Sequence, residues 1–90
     1  MENNYKVLFD AVKCVIDAWD PMALLKSGAP KDEYESEVAQ IVARAKEIRS
    51  EADAARVLSE VMKMSFGEAF TPDSCAEAGK AIFEKMRSNY

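Results

Sequence analysis

The sequence predicts an all-α fold: a compact antiparallel bundle of four main helices plus one short helix. Three observations carry this. Apolar residues recur at spacings of three and four along most of the chain, which is the period of one helix face. Ala, Glu, Lys, Leu and Met dominate the composition, and these are helix formers, while glycine and proline number only three each. No period-two run of β-branched residues marks a strand. The connections are short, so consecutive helices are expected to run antiparallel.

The first helix is expected from about Asn3 to Ala18. Tyr5, Leu8, Phe9, Val12, Ile16 and Trp19 form its apolar stripe, and Asn3 or Asn4 is placed to cap its N-terminus. Pro21 disfavours helical geometry in the residue before it, so this helix should stop near Trp19. Asp20 is then the expected N-cap of a short helix with Pro21 in its first position. Met22, Leu24 and Leu25 make that helix apolar. Ser27-Gly28 ends it, with Gly28 free to take a positive φ.

Pro30 is expected to open the third segment. Asp32, Glu33, Glu35 and Glu37 crowd its first two turns, where negative charge meets the positive end of the helix dipole. Tyr34, Val38, Ile41, Val42, Ala45 and Ile48 make one stripe that carries the helix to about Arg49. Arg44, Lys46 and Arg49 lie toward its C-terminal end as a solvated basic face. Ser50, with Asp53 three residues on, starts the next helix as a weak capping box. Its inner face is Ala54, Leu58, Val61, Met62 and Phe66, and Gly67 is its stop. Thr71-Pro72-Asp73 announces the last helix with a cap, a first-position proline and a first-turn acid. Gly79 inside that helix costs about 1 kcal/mol against alanine, which predicts a neighbouring helix in close approach.

A chain of 90 residues predicts one helical domain spanning 1–90. Apolar residues at 49% and charged residues at 31% are the balance of an ordered globule. The net charge of −4 argues against a nucleic-acid partner, since phosphate neutralisation needs a dense basic face. It argues equally against an anionic membrane surface, and it favours a basic partner. The N-terminus carries no long apolar run, which predicts neither a signal peptide nor a membrane span. Cys14 and Cys75 each sit in an apolar helical pattern and are expected as buried free thiols in a reducing, cytoplasmic setting. Met62 and Met86 belong to the core, whereas Met22 and Met64 are expected nearer the surface.

Histidine is absent, which removes Ser-His-Asp and Cys-His nucleophile arrangements. Two distant cysteines cannot build a zinc site. No Gly-rich phosphate loop and no calcium-loop pattern occurs. Carboxylates do cluster, at Asp17 and Asp20 and again at Asp32, Glu33, Glu35 and Glu37. Acid–base chemistry or a hard cation normally needs one such carboxyl in an apolar pocket, and no pocket is indicated. No catalytic residue, cofactor or metal is therefore expected, and the acids are expected on a solvated helix start. Tyr34 has two options. Its ring suits the core, while its hydroxyl reaches either the surface or back to Asp20 or a backbone carbonyl.

Trp19-Asp20-Pro21, Ala29-Pro30-Lys31-Asp32-Glu33-Tyr34 and Glu37 together resemble the WDP…AP-x-DEY-x-x-E signature of the YugE-like family of small bacterial proteins of unknown function. The likeness extends to Phe66-Gly67-Glu68 and the capped last helix. Members of that family usually carry Ile/Met-Gly after the proline and a second Asp after the tyrosine. Here Ala23 follows Met22, and Glu35 follows Tyr34. The resemblance implies a small cytoplasmic helical protein with no assigned activity. Similar signatures look like those of small immunity-type proteins found beside bacterial toxin systems, which implies an acidic binder that blocks a basic toxin. The expected function is thus a protein–protein interaction module, an inhibitor, immunity-like protein or adaptor. Its signature residues are Trp19, Asp20, Pro21, Asp32, Glu33, Tyr34, Glu35 and Glu37. The alternative is a structural homodimer, and a carboxylate-based metal binder or enzyme is the remote third.

Overall fold

The computed structural model of the chain describes residues 2–21, 28, 34–67 and 70–89. They form an all-α bundle with no strand among the described residues. Its helices are α1 (Glu2–Trp19), α2 (Glu35–Ala43), α3 (Glu51–Phe66) and α4 (Ala76–Asn89), with a 3₁₀ turn at Ala45–Glu47 between α2 and α3. α1 packs on α2 and α4, and α3 packs on the same two, so the four helices close a ring around one core. The expected short helix at Met22–Leu25, and the expected start at Pro30, lie outside the described residues.

The core is the stripe pattern made solid. Val12 and Ile16 of α1, Val38 and Ile41 of α2, Val57, Leu58 and Met62 of α3, and Ile82 of α4 are all at most 2% exposed. Full burial of a side chain of this kind stabilises by roughly 1.5–3 kcal/mol. Met86 is buried and Met64 is exposed, as their stripe positions require.

Two apolar positions on α1 depart from expectation. Cys14 is exposed. It sits two residues from both Val12 and Ile16, roughly 200° around the helix from each, so an apolar run in sequence is not one face in space. Tyr5 is 56% exposed and stacks on Phe9 at 6.0 Å, while the buried stripe begins one turn later at Leu8. The helix also begins at Glu2, which puts Asn3 and Asn4 inside it and not at its cap.

α2 stops at Ala43, short of the expected Arg49. The Arg44 N–H bonds to Ile41 O at 3.0 Å, Glu47 N to Arg44 O, and Ile48 N to Ala45 O. All three span three residues instead of four, which is the tighter 3₁₀ winding. The chain is then extended at Ile48, which is buried. The Arg44 guanidinium clamps this turn, reaching Glu47 at 2.8 and 2.9 Å and Glu60 of α3 at 2.7 Å. Those bonds hold the Glu47 carboxyl below its ordinary range and push the Arg44 guanidinium further up.

The caps follow their residue types. Ser50 Oγ accepts from Asp53 N at 3.1 Å. Asp53 Oδ2 reaches back to Arg49 N at 3.1 Å, one residue before the position a full capping box uses. Gly67 ends α3 at φ 104. Thr71 and Ser74 cap one another, Ser74 N donating to Thr71 Oγ1 and Thr71 N to Ser74 Oγ. The regular helix nonetheless begins only at Ala76, after a hydrogen-bonded turn. Gly79 stands where α3 and α4 touch. A Cβ there would lie 2.7 Å from Ala55 N and 2.9 Å from Ala55 Cα, so the absent side chain is what permits the approach.

Candidate functional site

Two regions qualify: the corner built by the signature residues, and a groove beside it. At the corner, α1 ends as Asp20 N bonds to Ile16 O at 2.7 Å. Asp20 then takes φ 46, the left-handed region that Asp tolerates better than most residues. That is the geometry of a helix exit. An N-cap normally sits in the extended region, and the short helix Asp20 was expected to cap lies outside the described residues. Pro21 follows, half-buried in a turn.

The Asp20 carboxyl is buried, and its Oδ1 accepts the Tyr34 hydroxyl at 2.7 Å. Tyr34 is fully buried. Of its two options, the hydroxyl takes the bond to Asp20. The Tyr34 ring meets Phe66 edge-on at 6.1 Å, Phe66 meets Phe70 at 6.4 Å, and Phe70 meets Trp19 edge-on at 6.0 Å. The end of α1, the start of α2 and the α3–α4 connection therefore share one aromatic cluster. Ser59 Oγ holds that connection by donating to Phe70 O at 3.2 Å.

The acids separate. Glu37 is 7% exposed and accepts from Ser65 Oγ of α3 at 2.9 Å. The expectation of a solvated Glu37 is thus overturned: its place one residue before Val38 turns it toward α3. Glu35 is exposed, 3.8 Å from Lys13 of α1. Asp32 and Glu33 lie outside the described residues. Asp17 Oδ2 pairs with Lys13 at 2.9 Å while Asp20 turns to Tyr34, so these two carboxyls serve different partners. Among the described residues, no group of three or more His, Cys, Asp or Glu is placed to hold a metal ion.

The groove runs between α1 and α4 and encloses about 650 Å³. Its wall takes Cys14, Val15, Ala18 and Trp19 from α1, and Ala78 and Ala81 from α4. Asp73, Ser74 and Glu77 stand at one end and Lys85 at the other. Sequence reasoning missed it. The available signal was the pair of small residues at Ala78 and Ala81, one turn apart, which thins α4 on the side toward α1. Cys75, just behind the groove, is buried, and that burial pushes its thiol above the ordinary value.

Residues 11–88 match the family model of a domain of unknown function, DUF1871. The match takes in the whole corner and both walls of the groove. The chain belongs to the DUF1871 family. No curated protein and no solved structure matches it. In this DUF1871 chain, Trp19 is the one signature residue among the described residues that both regions share, since it packs on Phe70 and also lines the groove. No described helix is long and apolar enough to cross a membrane.

Proposed function

We propose that this chain is a non-catalytic protein–protein interaction module of the inhibitor, immunity-like or adaptor kind, working in the reducing cytoplasm on a basic partner. The observation that carries the proposal is the open α1–α4 groove with Trp19 in its wall. Tryptophan is among the residues enriched at interface hot spots. The buried acids support a non-catalytic role, because Asp20 and Glu37 each hold a protein hydroxyl and so act as structural acceptors. The net charge of −4 supports a basic partner. Two free cysteines support a reducing compartment. Within the DUF1871 family, the WDP…AP-x-DEY signature supports a place among the YugE-like bacterial proteins.

The test is capture from native lysate with two baits, the wild-type chain and the chain alkylated at Cys14. A specific partner retained by the first and lost by the second is the expected result. An identical set on both baits would remove the groove from the function.

Self-association is the second proposal, and Tyr5 and Val7 favour it. Both are exposed large apolar residues on α1, and Tyr5 is stacked on Phe9. A monomeric mass at micromolar concentration would end it.

A further inference from the structure

The α1–α4 groove combines an apolar floor with unbalanced charge. Ala18, Ala78 and Ala81 leave its middle open instead of filling it. Its volume of about 650 Å³ falls in the range of sites that bury whole ligands. Asp73 and Glu77 are exposed at one end, and neither has an ion-pair partner among the described residues. Several other acids of the chain are paired, among them Asp10 with Lys6, Asp17 with Lys13, and Glu60 with Arg44. Asp73 and Glu77 suit the opening of α4 through the helix dipole, and that role leaves their oxygens open to solvent. Lys85 stands eight residues beyond Glu77, about 12 Å along α4, and is already engaged. The groove is therefore negative at the α4 N-terminal end.

Resting on the interaction-module proposal above, we propose that this groove docks a basic segment of a partner protein. An arginine or lysine of that segment lays its stem along Trp19 and Ala78 and sets its charge against Asp73 and Glu77. The stem of such a side chain covers apolar surface while its head stays polar, and a tryptophan face adds attraction for a cation. A second copy of this chain is a poor occupant, because each copy carries a net charge of −4 and like charges suppress the encounter.

Trp19 is the single tryptophan, so its emission reports on the groove directly. The probe is a pool of peptides of about twelve residues drawn from Leu, Ala, Ser and Arg, with a matched pool carrying Gln in place of Arg. Each is passed over immobilised full-length chain. The best retained peptide is then titrated against Trp19 emission. The expected result is preferential retention from the Arg pool and a saturable emission change that weakens with salt. The Gln version of the winning peptide should bind about tenfold or more weakly, the scale of one lost ionic contact. Asp73→Asn/Glu77→Gln should abolish the Arg preference in a chain that stays folded, with only the small fall in melting temperature that the lost helix-dipole contribution brings. Alkylation of Cys14 with N-ethylmaleimide should block binding.

Equal retention of both pools, with loss on Cys14 alkylation, would overturn the basic anchor while leaving a docking groove. Retention that ignores Cys14 alkylation, or no retention from either pool, would overturn the groove as a docking site. An Arg preference that survives Asp73→Asn/Glu77→Gln would overturn the assignment of those two carboxylates.

Discussion

The Tyr34 hydroxyl donates to Asp20 Oδ1 at 2.7 Å, across fourteen residues of sequence and inside the core. This bond joins the exit of α1 to the entry of α2. A carboxyl withdrawn from water costs free energy unless a donor replaces the lost hydration, and the tyrosine supplies one. Its ring at the same time closes the aromatic cluster through Phe66. The WDP and DEY halves of the signature are thus two sides of one contact.

Tyr34→Phe keeps the ring and removes the donor. Stability should fall by about 1–3 kcal/mol, the cost of leaving a buried acceptor short of a partner. Urea unfolding of Tyr34→Phe, Asp20→Ala (which removes the acceptor) and the double variant forms a cycle. Coupling of about 0.5–3 kcal/mol is expected for residues in direct contact, and simple additivity would contradict the bond.

Gly79→Ala puts two effects in opposition. Alanine in a helix interior favours folding by about 1 kcal/mol over glycine. The new Cβ would meet Ala55 backbone at 2.7 Å, and overpacking of this kind costs about 1–3 kcal/mol. The atoms it meets are backbone and cannot rotate away, so net destabilisation is expected. A melting temperature at or above wild type would show that α3 and α4 separate more easily than this contact implies.

The two thiols should behave differently. Cys14 is exposed and Cys75 buried, so a disulfide-exchange reagent should titrate one thiol in the folded chain and two after denaturation. Burial raises the Cys75 thiol above its ordinary value of 9.0. A raised group contributes stability that is fully present below its unfolded value and is lost as pH rises through the folded one. The Cys75 contribution therefore declines above about pH 9, and Cys75→Ala should flatten that alkaline fall. Two reactive thiols in the folded chain would contradict the buried placement.

The Arg44 clamp predicts an acid-side effect. Arg44 holds the Glu47 carboxyl below its ordinary range. A lowered group contributes stability that is present above the unfolded value and is lost as pH falls through the folded one. Arg44→Met should therefore flatten the stability profile just below the ordinary carboxylate range. At neutral pH the loss should be small and screened by salt, because these side chains are partly exposed. A loss of several kcal/mol would mean that the clamp determines the 3₁₀ turn as a whole.

Ser50→Ala removes the one side-chain acceptor that Asp53 N meets at the start of α3. A cost of about 1 kcal/mol is expected in thermal or urea unfolding. An unchanged stability would show that water satisfies that amide equally well.

The all-α class, the cap at Ser50, the stop at Gly67 and the close approach at Gly79 were all legible in the sequence. Each depends on local chemistry: an oxygen three residues before an amide, a glycine at positive φ, a missing side chain on an apolar face. Periodicity likewise placed Val12, Ile16, Val38, Leu58 and Ile82 in the core, because burial follows directly from helix phase. Tertiary structure alone decided the rest. It turned Glu37 inward to Ser65, left Tyr5 and Cys14 outside, and tightened the chain after Ala43 so that Ile48 enters the core on an extended stretch. It made Phe70 the junction between Trp19 and Phe66, and it left the α1–α4 groove open. These outcomes depend on which helix lies opposite, how far it extends and how much volume its side chains fill, none of which is encoded in the phase of a single stripe.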